Sequence, residues 1–190
     1  MTYVRFDVSS IFYKAFFTEY SSRESLVDMI KKSNEFEKFY RPFEKKIFNK
    51  LNELLGGTFS DNFINAYVLP SGSKNNGQSS PLLIRLHDDK LCTIKYLIHE
   101  LVHYYITYSS DFQKYLDDIG DFHYENLVEH EIVNWATEKI MLSLFDKEKL
   151  EKSRALEYKS QKYEEWRKTG LEKLNNITNL VGMLNNGNKF

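Results

Sequence analysis

The chain has 190 residues, enough for a single domain, and its hydrophobic share of 42% and aromatic share of 15% can fill a core. Its 26 Lys and Arg nearly balance 27 Asp and Glu, so the net charge of −1 argues against nucleic acid or anionic lipid as partners. The single cysteine, Cys92, cannot form an internal disulfide, and neither a signal peptide nor a membrane helix is recognisable. We therefore expect a soluble, cytoplasmic protein without a membrane partner.

The first part of the chain predicts one strand followed by helices. Residues 3–8 alternate apolar and polar side chains, as a half-buried strand does, and residues 11–20 predict a helix. Residues 21–24 (SSRE) form a capping box before a short helix. Pro42 then fits the first turn of a separate helix, which ends at the Gly pair 56–57.

The central part predicts two further strands and a helix. A strand pattern over residues 63–69 leads into a polar loop over residues 71–80, which is either a surface connection or the rim of a site. Residues 82–87 predict the third strand. Asp88 and Asp89 provide an N-cap for a helix from about Lys90 to Tyr108.

The remaining chain predicts helices alone. A short piece over residues 110–120 precedes a long helix over about residues 124–145, then a charged helix over residues 147–168 and a last striped helix. The prediction is thus one α+β domain over residues 1–190. Its sheet-containing part reaches about residue 108, and its mainly helical part begins at about residue 109.

The most informative stretch is H-E-x-x-H at residues 99–103. On a helix His99 and His103 share one face, so both imidazoles can bind one ion, while Glu100 can reach a water on that ion. A catalytic zinc site needs three protein ligands and a water, and a carboxylate beside it can act as general base. The alternative is a helix that carries two solvated His and a Glu by chance.

A third ligand must come from later in the chain. The candidates from the residues are Glu125, Glu129, His130 and Glu131, with His123 further back in the chain. Helical spacing from Glu129 leads along the most apolar line of its helix, to Ile132, Val133, Ala136 and Ile140. A carboxylate on a buried face is unusual unless it is paired or bound to metal, so Glu129 is the first choice, with Glu131 second and His130 third.

The motif and the later Glu resemble the gluzincin class of zinc metallopeptidases. Residues 129–136 (EHEIVNWA) are similar to a stretch beginning E-x-E-A in ImmA/IrrE-like peptidases, and the likeness covers about Leu82 to Leu144. The position four after the Glu, acidic or amide in that family, is Val133 here, so the usual partner of the metal ligand is in doubt. A third-ligand His, as in SprT-like zinc proteases, stays open through His123 or His130.

The resemblance implies a zincin-like fold, in which a small mixed sheet packs on the motif helix. It also implies Zn²⁺ held by His99, His103 and Glu129, and a peptide substrate added as a strand along the sheet edge at residues 83–87. Tyr124 or His123 would then supply a donor to the developing oxyanion.

The expected function is a zinc-dependent peptidase with Glu100 as general base toward a metal-activated water, acting on a peptide or protein substrate. One alternative is a non-catalytic interaction or regulatory protein that keeps the zinc, and another is a hydrolase of non-peptide amides. The sequence leaves the oligomeric state open.

Overall fold

A computed structural model of the protein describes residues 2–14, 24–55, 62–71, 73, 77–108 and 125–150, and of residues 125–129 and 131 it describes the backbone alone. The elements in chain order are β1 (Tyr3–Asp7), α1 (Leu26–Leu55), β2 (Phe63–Leu69), β3 (Gly77–Ser79), β4 (Leu82–Arg85), α2 (Lys90–Tyr108) and α3 (Glu125–Leu144). Residues 10–14 and 147–150 are also helical. The helices predicted over residues 110–120 and beyond residue 150 lie outside the described part.

The described strands form one open sheet in the order β1-β2-β4-β3. The first three are parallel, and β3 is antiparallel to β4. Parallel strands are buried by helices, which fits the apolar residues that β2 and β4 contribute to the core. The helix α1 contacts β1, and α2 contacts β3 and β4. The predicted mixed sheet beside the motif helix, and the α+β class, are confirmed.

The predicted sheet edge at residues 83–87 is wrong. Leu83 pairs with Tyr67 of β2 on one side and with Gln78 of β3 on the other, so β4 is an inner strand. Among the described residues, β3 is the edge on that side. The segment Gly-Gln-Ser has no apolar alternation, so its sequence predicts a loop; pairing with the buried β4 makes it a strand.

One continuous helix, α1, replaces the two helices predicted before and after Pro42. The box that caps it is Ser25 and Asp28, because the Asp28 N–H donates to Ser25 Oγ at 3.1 Å and the Ser25 N–H donates to Asp28 Oδ2 at 3.3 Å. Residues 21–23 of the predicted box lie outside the described part. Pro42 is exposed, and the helix continues through it because the buried stripe from Met29 to Leu55 is unbroken.

A buried carboxylate fastens β1 to α1. The Val4 N–H donates to Glu44 Oε1 at 2.7 Å, and the Arg41 guanidinium donates to both Glu44 oxygens at 2.7 and 2.8 Å. Two residues along β1, the ring of Phe6 meets Tyr40 edge-to-face, with centroids 5.4 Å apart. The first strand of the sheet is therefore held to α1 by both charge and packing.

The third helix packs on α2 with a broad apolar face. The line predicted from Glu129 is buried as expected: Ile132, Val133, Ala136 and Ile140 are each 3% exposed or less. Thr137 and Met141, which belong to the line of His130, are equally buried. No helix in the described ranges has a stretch that is long and apolar enough to cross a membrane.

Candidate metal centre

The helix α2 has the bounds that the sequence predicts, and its N-terminus is capped. Asp89 Oδ1 accepts the N–H of Leu91 at 2.9 Å, and the His87 N–H donates to Thr93 Oγ1 at 2.8 Å, which ties β4 to the first turn. The helix lies among β3, β4, α1 and α3 and is buried along most of its length. It therefore holds the residues of the H-E-x-x-H motif on a rigid element.

Three imidazoles converge between α2 and α3. His99 and His103 come from successive turns of α2, and His130 comes from α3. One ligand atom from each lies within 4.8 Å of the other two. The His103 ring centroid is 4.9 Å from that of His99 and 4.9 Å from that of His130. The His99 and His130 centroids are 6.0 Å apart, and the three side chains together could hold a metal ion.

The spacing of two of these nitrogens suits a hydrogen bond between the rings and also a shared metal ion. The Nε2 atoms of His99 and His103 are 3.2 Å apart. Two nitrogens on a tetrahedral zinc, each about 2.0–2.1 Å from the ion, are separated by roughly 3.3 Å. His103 is only 9% exposed, whereas His99 and His130 are partly exposed, so the cluster is partly shielded from water.

The surroundings of His99 favour a neutral imidazole. The pKa of His99 is lowered from 6.5 to about 3, first by desolvation, then by His103 and His130, and last by Lys95. A neutral imidazole can donate a nitrogen lone pair to a metal, whereas an imidazolium cannot. The same surroundings that exclude a proton from His99 therefore leave its lone pair available for a cation.

The structure brings together His99 and His103, as predicted, and adds His130, which the sequence ranks third. The side chains of Glu129 and Glu131 lie outside the described part, so their roles as ligands stay predictions. His123 and Tyr124, proposed for the oxyanion, also lie outside it.

Glu100 packs against the backbone of the edge strand. Glu100 is 9% exposed. A Cβ built on Gly77 of β3 would lie 2.7 Å from Glu100 Cγ and 2.8 Å from its Oε1. Sequence reasoning missed Gly77, because a lone glycine in a polar segment gives no signal of its own.

Two other residues behave as the sequence suggests. His87, expected at a strand end rather than at the metal, stacks on Tyr96 with centroids 5.0 Å apart and is not part of the His cluster. Cys92, expected in the core, is buried.

No protein-family model matches the chain, and no curated protein or solved structure is significantly similar to it. The resemblance to gluzincins therefore rests on the sequence of residues 82–144 alone, and the cluster of three imidazoles carries the functional inference.

Proposed function

We propose that the protein is a zinc-dependent peptidase with a zincin-like fold, in which His99, His103 and His130 hold the metal and Glu100 is the general base. The observation that carries the proposal is the cluster of three imidazoles, two of them from an H-E-x-x-H motif, with one ligand atom of each within 4.8 Å of the other two. Three protein ligands leave a position open, which is typical of catalytic rather than structural zinc.

The donor set fits such an ion. Imidazole nitrogen is a good ligand for zinc, and a 3.2 Å separation between two of the donors suits tetrahedral coordination. When bound, the ion supplies Lewis acidity, which acidifies water and polarises a carbonyl group. Glu129 remains the competing third ligand, because it lies next to His130 on α3.

The H-E-x-x-H motif supports Glu100 as the general base. Glu100 follows His99 directly on α2, so in the proposed site its carboxylate would reach a water on the ion and not the ion itself. It is buried, which limits competing contacts with bulk water. In the proposed reaction Glu100 accepts the proton of the attacking water and then gives a proton to the leaving amine.

The edge strand β3 offers the place for a peptide. Its pairing with β4 uses one side, and in the part of the chain that the structure describes no strand pairs with the other. An extended peptide can bind such an edge through main-chain hydrogen bonds. Because Gly77 of β3 touches Glu100, a peptide on this strand would pass close to the general base. Buried Cys92 suits a reducing compartment, so we expect a cytoplasmic substrate.

One substitution tests the proposal against a non-catalytic zinc protein. The Glu100→Gln variant should bind as much zinc as the wild type but cleave fluorescently labelled casein about 100- to 10,000-fold more slowly. Metal content of the purified proteins and the rate of fluorescence release are the measurements. Equal inertness of both proteins toward casein would favour the non-catalytic alternative, and absence of bound metal under zinc loading would refute both.

A further inference from the structure

We propose that Gly77 is a positioning residue for Glu100, in that the bare backbone of β3 at this point holds the carboxylate in its working orientation. The steric part of this inference stands on the structure alone. Its catalytic part rests on the proposed function above.

The contact is closer than a side chain would allow. The three heavy atoms nearest to a Cβ on Gly77 are Cγ, Oε1 and Cδ of Glu100, at 2.7, 2.8 and 3.1 Å. Real Cβ atoms do not approach other heavy atoms to less than 3.0 Å, so alanine at position 77 requires Glu100 or the strand to shift.

Neither partner is free to move without cost. Gly77 pairs with Ile84, a fully buried residue of the inner strand β4, so β3 is tied to the core. Glu100 is 9% exposed and starts from the buried helix α2. The least costly response to a methyl group is therefore a rotation of the Glu100 side chain away from β3.

Backbone conformation does not explain the glycine. Gly77 does not adopt the left-handed conformation that favours glycine, so the backbone itself accommodates alanine. Where that holds, replacing glycine by alanine reduces the entropy of the unfolded chain and stabilises the protein. Gly77→Ala should therefore destabilise the protein when the Glu100 side chain is present and stabilise it, or leave it unchanged, when that side chain is absent.

A double-mutant cycle uses this change of sign. We compare Gly77→Ala in the wild type with Gly77→Ala in a Glu100→Ala background, where all three contacted atoms are missing, in the full chain with zinc bound and again after chelation. We expect Tm to fall by about 2–4 °C in the first background and to stay level or rise in the second. An equal loss of Tm in both backgrounds would overturn the proposal.

Gln78→Ala is the matched control for the strand. Its side chain lies on the other face of β3 and is exposed. Its effect on Tm should be the same with and without Glu100. If Gln78→Ala shows the same sign change as Gly77→Ala, the coupling belongs to β3 in general and the role of Gly77 is refuted.

Kinetics then separate positioning from packing. Gly77→Ala should keep its bound zinc, and for labelled casein kcat should fall about 100-fold while KM changes less than about twofold, because a misplaced base weakens the chemical step. Unchanged kcat would overturn the positioning role. A further outcome is that the wild type shows no cleavage of casein while the effect of Gly77→Ala on Tm still differs in sign between the two backgrounds. In that case the peptidase proposal and the catalytic role of Gly77 fail, while the Gly77–Glu100 contact stands.

Discussion

His99 and His103 bring their Nε2 atoms to 3.2 Å from each other on successive turns of a buried helix. Two imidazoles this close repel each other if both are protonated to imidazolium, whereas two neutral imidazoles can bind one cation between them. The pair is completed by His130 from a second helix, so an ion would cross-link α2 and α3. Stability, metal content and pH should therefore be coupled in this protein.

Zinc is expected to stabilise the fold. A ligand that binds only the folded state at 100 times its Kd adds about 2.7 kcal/mol to the free energy of unfolding. Thermal unfolding of chelated protein, before and after zinc addition, measures this. His87→Ala is the control, since His87 lies outside the cluster and should leave the zinc response intact. An unchanged Tm on addition of zinc would contradict the proposed metal centre.

Substitution of single residues should identify the third ligand. Loss of a residue that only hydrogen-bonds to a metal ligand typically lowers metal affinity about 10- to 100-fold. Loss of a ligand itself should cost more, so His130→Ala should weaken zinc binding by about 100-fold or more. Glu129→Ala should retain most of the affinity. Competition with a chromophoric chelator gives both constants. The reverse order would assign Glu129 as the ligand.

Acid should destabilise the metal-free protein through His99. Its pKa is about 3 in the folded chain and 6.5 as the ordinary value, mainly because of desolvation. Between about pH 6.5 and about pH 3 the unfolded chain therefore binds a proton that the folded chain does not. The free energy of unfolding decreases as the pH is lowered through this window. From about pH 7.5 to about pH 5 the loss is about 2 kcal/mol. Urea unfolding in the presence of a chelator measures it, and His99→Asn should remove most of the pH dependence.

The Glu44 carboxylate should matter for stability even though it lies outside the metal centre. Glu44→Ala leaves the Val4 N–H without its buried acceptor and removes one of the two carboxylates that Arg41 contacts, the other being Glu37, and it should cost about 1–3 kcal/mol. Glu53→Ala is the matched control on the same helix, because its ion pair with Lys50 is exposed and should contribute about 0–1 kcal/mol. Similar unfolding free energies for the two variants would contradict the anchoring role.

Elements with strong periodicity could be predicted from the sequence. The bounds of α2 agree with the prediction, and β1, β2 and α3 lie where the patterns place them, because their apolar residues repeat at the spacing of a strand or a helix. The proximity of the two imidazoles on α2 follows from one motif, since a spacing of four residues on a helix places them on the same face.

The remaining features depend on tertiary contacts. The strand β3 forms because β4 pairs with it, and α1 continues through Pro42 because the core needs its whole stripe. The ranking of His130 below Glu129 relied on the more apolar line being the inner one. The inner face of α3 is wide enough to bury both lines, so hydrophobic pattern alone could not separate the candidates.

The length of β3 bears on local unfolding beside Glu100. A three-residue strand that pairs with β4 alone among the described strands should open at a lower free energy than a 19-residue buried helix. Deuterium should enter the amides of β3 earlier than those of α2, so local opening would release the support behind Glu100 while the α2 imidazoles keep their spacing.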